Sequence, residues 1–140
     1  MNRTHLSDWL DVYERAWRTP GTETLADLFT NDATYSTAPY ERPHRGLQAI
    51  AEMWEAERRG PDEEFEMSSE IVATDGDTGV ARVEVRYTAP EDKARRNRQQ
   101  SEYRDLWIVR LDDSGRCFHF EEWPFWPADQ EGAAAAGAAE

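Results

Sequence analysis

Residues 101–111 read S-E-Y-R-D-L-W-I-V-R-L, residues 112–115 read D-D-S-G, and residues 116–127 read R-C-F-H-F-E-E-W-P-F-W-P. Two long segments rich in aromatic and β-branched residues flank a four-residue turn ending in Gly115, which is the pattern of a β-hairpin. Acids sit among the rings: Asp105 lies two residues before Trp107, and Glu121 and Glu122 precede Trp123. This hairpin is the end of an alternating half-chain. Upstream, Ala81, Val83, Val85 and Tyr87 alternate with Arg82, Glu84 and Arg86, and before the turn at Asp75-Gly76-Asp77 the residues Phe65, Met67, Ser69, Ile71 and Ala73 share one strand face.

The first half has the other period. Leu6, Trp9, Leu10, Tyr13 and Trp17 recur at three- and four-residue spacing and predict an amphipathic helix over Ser7 to Arg18, stopped by Pro20-Gly21. Thr22 is placed to cap a second, short helix carrying Leu25, Leu28 and Phe29 and ending near Asn31-Asp32. A short strand over Ala33 to Ser36 and a loop over Pro39 to Gly46 follow, and Leu47, Ile50, Ala51, Met53 and Trp54 mark a third helix ending before Gly60-Pro61. Pro90 to Gln100 reads as a polar loop, in which Lys93, Arg95, Arg96 and Arg98 form a solvated cluster that could also act as a lid or attract an acidic ligand. Helices first and antiparallel strands after is an α+β order, expected as one domain over residues 1–127 with an Ala/Gly/Glu-rich disordered tail over residues 128–140.

Composition excludes several function classes. Sixteen Lys and Arg stand against 29 Asp and Glu, a formal net charge of -13, which argues against nucleic acid and anionic membrane surfaces as partners. One cysteine, Cys117, rules out an internal disulfide and suits a reducing cytoplasm, and no apolar run reaches spanning length. The expected compartment is cytoplasmic. No His pair has ligand spacing, so neither a metal nor another cofactor is expected. Six Trp, five Tyr and five Phe are many for so polar a chain, and build either a core or the wall of an apolar cavity.

Three stretches together resemble the SnoaL-like, or nuclear-transport-factor-2-like, superfamily: L-A-D-L-F-T-N-D-A-T-Y at residues 25–35, H-R-G-L-Q-A-I at residues 44–50, and the R-L-D-D-S-G-R turn with its aromatic strand. The resemblance implies three N-terminal helices in the concave face of a curved, mainly antiparallel sheet of four to six strands, a cone-shaped α+β barrel. It also implies a pocket between helices and sheet, and a homodimer through the convex face. The family's functions range over isomerases, epoxide hydrolases, cyclases, dehydratases and non-catalytic binders, so fold alone does not choose among them. Ketosteroid isomerases use an Asp base beside an oxyanion hole of Tyr and a neutral carboxylic acid. Laid over this chain, the oxyanion Tyr falls on Tyr13, but the base falls on Thr37 and the second acid on Trp107. That chemistry is excluded.

The same overlay turns Tyr103, Asp105, Trp107 and Val109 inward, and likewise Phe118, Phe120, Glu122 and Pro124, leaving Cys117, His119, Glu121 and Trp123 outward. A bulge or edge is expected at Pro124, where Trp123 and Trp126 could exchange sides. Asp105 and Glu122 are then the candidate acid/base pair, since two carboxyls in an aromatic cavity repel and lose solvation. The structural alternative is an ion pair with Arg45, Arg82 or Arg86. Epoxide hydrolases of the family pair two Asp with an Arg, where this chain has Tyr103. Tyr13 is the candidate hydrogen-bond donor. The ligand-binding candidates are Trp17, Tyr35, Tyr40, His44, Trp54, Tyr103, Trp107 and Phe120. The expected partner is a small, mostly apolar molecule, bound with acid/base chemistry of cyclase, isomerase or hydrolase type. The other readings are a non-catalytic binding module, and a dimeric scaffold whose cavity is filled by Trp17, Trp54 and Trp107.

Overall fold

A computed structural model describes residues 1–58, 65–87 and 102–127. The elements run α1 (Arg3–Arg18), α2 (Leu25–Leu28), β1 (Phe29–Ser36), β2 (His44–Arg45), α3 (Leu47–Glu57), β3 (Phe65–Asp75), β4 (Thr78–Tyr87), β5 (Glu102–Leu111) and β6 (Cys117–Phe125). The strands form one sheet in the order β2-β1-β6-β5-β4-β3, with β1 and β6 parallel and every other neighbouring pair antiparallel. The sheet is curved and unclosed, so the α+β cone expected from sequence is present as an open sheet rather than a barrel. The basic cluster at Lys93 to Arg98, the polar loop around it and the tail at residues 128–140 lie outside the described residues.

The helices cover the concave face because their apolar stripes meet its inward residues. Leu6, Trp9, Leu10 and Tyr13 of α1 bury with Ala81, Val83, Val109 and Phe120 of the sheet, in a core that also takes Ile50 and Trp54 of α3. The contact is largely aromatic: Trp9 packs edge-on to Phe29 at 5.8 Å, and Tyr13 stacks on Phe120 at 5.8 Å between ring centroids. Edge-on and offset arrangements of this kind add to the burial of the rings themselves.

The helix and strand limits differ from the sequence reading where a tertiary contact outweighs local preference. Helix α1 begins one turn early, at Arg3, because the Asn2 side chain caps it by accepting from the His5 amide at 2.9 Å. Helix α2 is a single turn without a side-chain cap, and Thr22 offers its carbonyl, not its hydroxyl, to Leu25 at 3.2 Å. Phe29 opens β1 instead of extending that helix, since it pairs with Cys117 across the parallel strands. Part of the expected loop before α3 is strand, with His44 opposite Tyr35 and Arg45 opposite Thr34. Gly46 at φ 89 then turns the chain into α3, a backbone region that favours glycine.

Two extra residues break strand parity in the antiparallel pairs. Ile71 pairs with Ala81 and Ala73 with Val80, so Val72 is unpaired and Ala73 is exposed instead of sharing the face of Ile71. Arg3 of α1 donates to the carbonyls of Ile71 and Val72 there, at 3.1 and 3.4 Å. In β6, Arg110 pairs with His119 and Leu111 with Cys117, leaving Phe118 as the extra residue. Cys117 is consequently buried, not outward, and Phe118 lies under the Arg110 guanidinium at 5.0 Å instead of facing the core. Beyond that bulge the expected orientation holds: Phe120 is buried, and Trp123 is exposed. No bulge occurs at Pro124, which pairs in register with Asp105.

Candidate functional site

Between α1, α3 and the sheet lies a cavity of ≈ 540 Å³, within the range of small-molecule sites. Helix α1 brings Tyr13 and Trp17 to it, β1 brings Tyr35, β5 brings Tyr103 and Trp107, and β6 brings Glu122. The Tyr13 and Tyr35 hydroxyls are 2.6 Å apart, and Tyr35 donates to Glu122 Oε1 at 2.9 Å. Because the single Tyr35 proton goes to Glu122, Tyr13 is the donor of the first bond. Three elements far apart in sequence are thus joined by a chain of hydroxyls ending on a carboxyl.

Behind Glu122 is a second carboxyl. Asp105 is 2% exposed and does not line the cavity. Its Oδ2 accepts from Trp107 Nε1 at 2.8 Å, and its Oδ1 is buried with no hydrogen-bond partner among the described residues other than the neighbouring Glu122 carboxyl. Loss of water, and then the charge of Asp105, raise Glu122 well above the ordinary glutamate range. Burial also raises Asp105, but hydrogen bonds from Glu122 and Trp107 oppose that rise. Two close carboxyls that cannot both ionise share one proton. Of the two, Glu122 is raised further, while the hydrogen bond from Trp107 favours the ionised form of Asp105. Burial, followed by the charge of Glu122, likewise raises Tyr13 and Tyr35 well above the usual tyrosine value, so both hydroxyls stay protonated.

The ion-pair alternative is not what surrounds these acids. Arg82 pairs with Glu70 at 3.3 Å and Arg86 with Glu102 at 3.5 Å, while Arg45 is exposed. The other expected ligand contacts divide. Trp17, Tyr35, His44, Tyr103 and Trp107 line the cavity. Tyr40 does not, being fully exposed on its loop. Trp54 is 1% exposed and packs edge-on behind Tyr13 and Trp17, and Phe120 is wholly buried under Tyr35 at 4.4 Å. Both support the wall without facing the space. The filled cavity of the scaffold reading is therefore absent: Trp54 sits behind the wall while Trp17 and Trp107 form part of it.

Glu41, Glu57, Phe65, Tyr87 and Trp126 also line the space, and the sequence reading assigned none of them there. A signal existed for Glu57, which follows buried Met53 by four residues and so shares its helix face. Trp126 packs at a tilt against Tyr103 at 4.9 Å and lines the cavity, so it is Trp126 that turns to the cavity and Trp123 that turns away. Among the described residues no group of three or more His, Cys, Asp or Glu could hold a metal ion, and no helix is long and apolar enough to cross a membrane.

The description of the SnoaL-like domain matches residues 9–120. The chain belongs to the SnoaL-like family. Among solved structures, a proposed polyketide cyclase from Sinorhizobium meliloti is similar at 22% identity, over 82% of this chain and 93% of that one, with a TM-score of 0.60. A proposed isomerase of the SnoaL-like family from Agrobacterium tumefaciens aligns at 20% identity over 87% of this chain and 98% of that one, TM-score 0.62. An LEH-like epoxide hydrolase from M. tuberculosis aligns at 12% identity over 87% of this chain and 84% of that one, TM-score 0.60. At these identities the likeness is one of fold. No curated protein matches the chain.

Proposed function

We propose that this SnoaL-like domain binds a small, mostly apolar molecule in its aromatic cavity and performs proton-transfer chemistry on it, with Glu122 as the proton donor. The observation that carries this reading is the chain from Tyr13 through Tyr35 to Glu122, which runs from the buried core to the wall of an open cavity. A carboxylic acid kept neutral by its surroundings can give a proton at neutral pH. Asp105 would stabilise the charge changes on Glu122 from behind, and Tyr13, whose one proton goes to Tyr35, would accept a hydrogen bond from the substrate. The solved structures of similar fold carry cyclase, isomerase and epoxide hydrolase names, all compatible with an acid of this kind. Steroid isomerisation is not, since Thr37 on the cavity wall cannot serve as its base.

The test is turnover of cyclisable polyketides, enones and epoxides by the full chain, with Glu122→Gln and Asp105→Asn beside it. We expect Glu122→Gln to lower kcat by about 10²–10⁴-fold. Conversion that survives both changes would remove these acids from the mechanism. A binding module without catalysis is the second reading, because the network is satisfied internally. It predicts ligand affinity altered by Tyr13→Phe and no turnover with any bound compound. In either case the lone buried thiol and the acidic surface accord with a cytoplasmic protein that binds neither nucleic acid nor membrane, and the outer sheet face with a homodimer.

A further inference from the structure

The charge of the cavity wall is one-sided. Among the described residues that line it there is no Lys or Arg, while Glu41, Glu57 and Glu122 are all present. Glu41 and Glu57 are exposed and so stand on its open side, while Glu122 is half-buried beneath Tyr35. Among the described residues, two arginines lie against rings of the wall and are bonded to other groups. Arg18 lies over the Phe65 ring at 4.0 Å and bonds Glu14 and the Phe65 carbonyl, both at 3.0 Å. Arg58 bonds Glu55 at 2.8 Å, the Gly21 carbonyl at 2.6 Å, and the Thr19 carbonyl.

Much of the rest of the wall is aromatic side chain, with Met53, Met67, Val85 and Pro124 between the rings. Tyr13, Trp17, Tyr35, Tyr103, Trp107 and Trp126 all contribute, with Tyr13 and Trp107 only 4.6 Å apart between centroids. An aromatic face attracts a cation through its quadrupole, most strongly where water is excluded. A cation entering such a space loses hydration, which the ring faces and the two outer carboxylates offset. A neutral molecule gains no charge–charge attraction from those carboxylates. An anion is repelled by them, and by a chain whose net charge is -13. The field of Glu57 reaches the cavity floor, where it adds to the upward shift of Glu122.

We propose that the ligand is an organic cation, a protonated amine or quaternary ammonium carried on an apolar body. This inference rests on the cavity-binding reading above, and the following experiment separates the two. Affinities of the full chain for 2-phenylethylamine, 2-phenylethanol and phenylacetate, matched in size and differing in charge, are measured by calorimetry near neutral pH. The amine should bind about tenfold more tightly than the alcohol, with phenylacetate weakest. Glu57→Gln should cut the amine's advantage about threefold and leave the alcohol unchanged. Equal binding of amine and alcohol overturns the cation inference and leaves the cavity reading standing. Preference for phenylacetate overturns it as well, and would point to basic residues outside the described segments. Failure of all three to bind at millimolar concentration overturns both.

Discussion

Tyr35 has one hydroxyl and two neighbours that depend on it. Removing that oxygen leaves Tyr13 without its 2.6 Å partner and Glu122 Oε1 without its 2.9 Å donor, in a place with little water to replace them. Tyr35→Phe should therefore cost about 1–3 kcal/mol in a urea melt. Tyr13→Phe removes only the end of the chain and should cost about 0.5–1.5 kcal/mol. The reverse order would mean that Tyr13, not Tyr35, is the link. Glu122 makes a second prediction, in pH. Its folded-state value is raised, so above pH 4.5, the ordinary glutamate value, the unfolded chain gives up a proton that the folded chain keeps. The folded state binds the extra proton, and stability falls as pH rises until Glu122 itself ionises. Asp105 is shifted in the same direction and adds to the slope. Glu122→Gln carries no titrating proton in either state. Its stability relative to the unaltered chain should improve from about pH 5 to about pH 8 in paired melts. No relative change over that range would place an ionised Glu122 in the folded protein.

The β5–β6 hairpin shows how far strand patterns can be read and where they stop. Alternation correctly turns Asp105, Trp107 and Val109 inward, because one face of β5 is buried throughout and any slip would expose it. It fails at Cys117 and Phe118, since one inserted residue exchanges their sides, and no residue type in that segment marks the insertion. The cavity has the same limit. Tyr13, Tyr35 and Glu122 were legible because each lies on the inward side of a regular element. Glu57 and Trp126 line the space from element ends, where a three-dimensional edge decides what faces it. Tyr40 was misread for the converse reason: an aromatic ring in a Pro-bounded loop says nothing about whether anything covers it. The bulge has a chemical consequence that can be measured. With Cys117 turned inward, burial pushes its thiol up to about 12. Aromatic disulfide reagents at about pH 8 should leave the folded protein untouched over hours and label it within minutes in urea. Fast labelling of the folded chain would place Cys117 on the outer face.

At the scale of the whole molecule the question is what covers the convex side. Leu106 and Trp123 face each other across β5 and β6 and are each 39% exposed, with Phe125 next along the strand at 49%. Around them the face is charged but balanced, with Arg104 against Glu84 at 3.4 Å and Arg82 against Glu70 at 3.3 Å. An apolar centre with a rim of paired charges suits a self-complementary interface, in which a two-fold axis sets one Leu106–Trp123 pair against another. Opposing it is the net charge of -13 on each copy, which repels at long range and is screened by salt. The two effects separate by experiment. Sedimentation should show a dimer at micromolar concentration, strengthened from about 50 mM to about 300 mM salt because screening removes the repulsion while the apolar centre remains. Leu106→Glu places a charge at that centre and should give a monomer, with a melt within about 0.5 kcal/mol of the parent at concentrations where the parent is itself monomeric, because the site is wet in the single chain. If the parent chain is a monomer at high salt, the convex face is open. If Leu106→Glu still dimerises, the interface lies elsewhere on the fold.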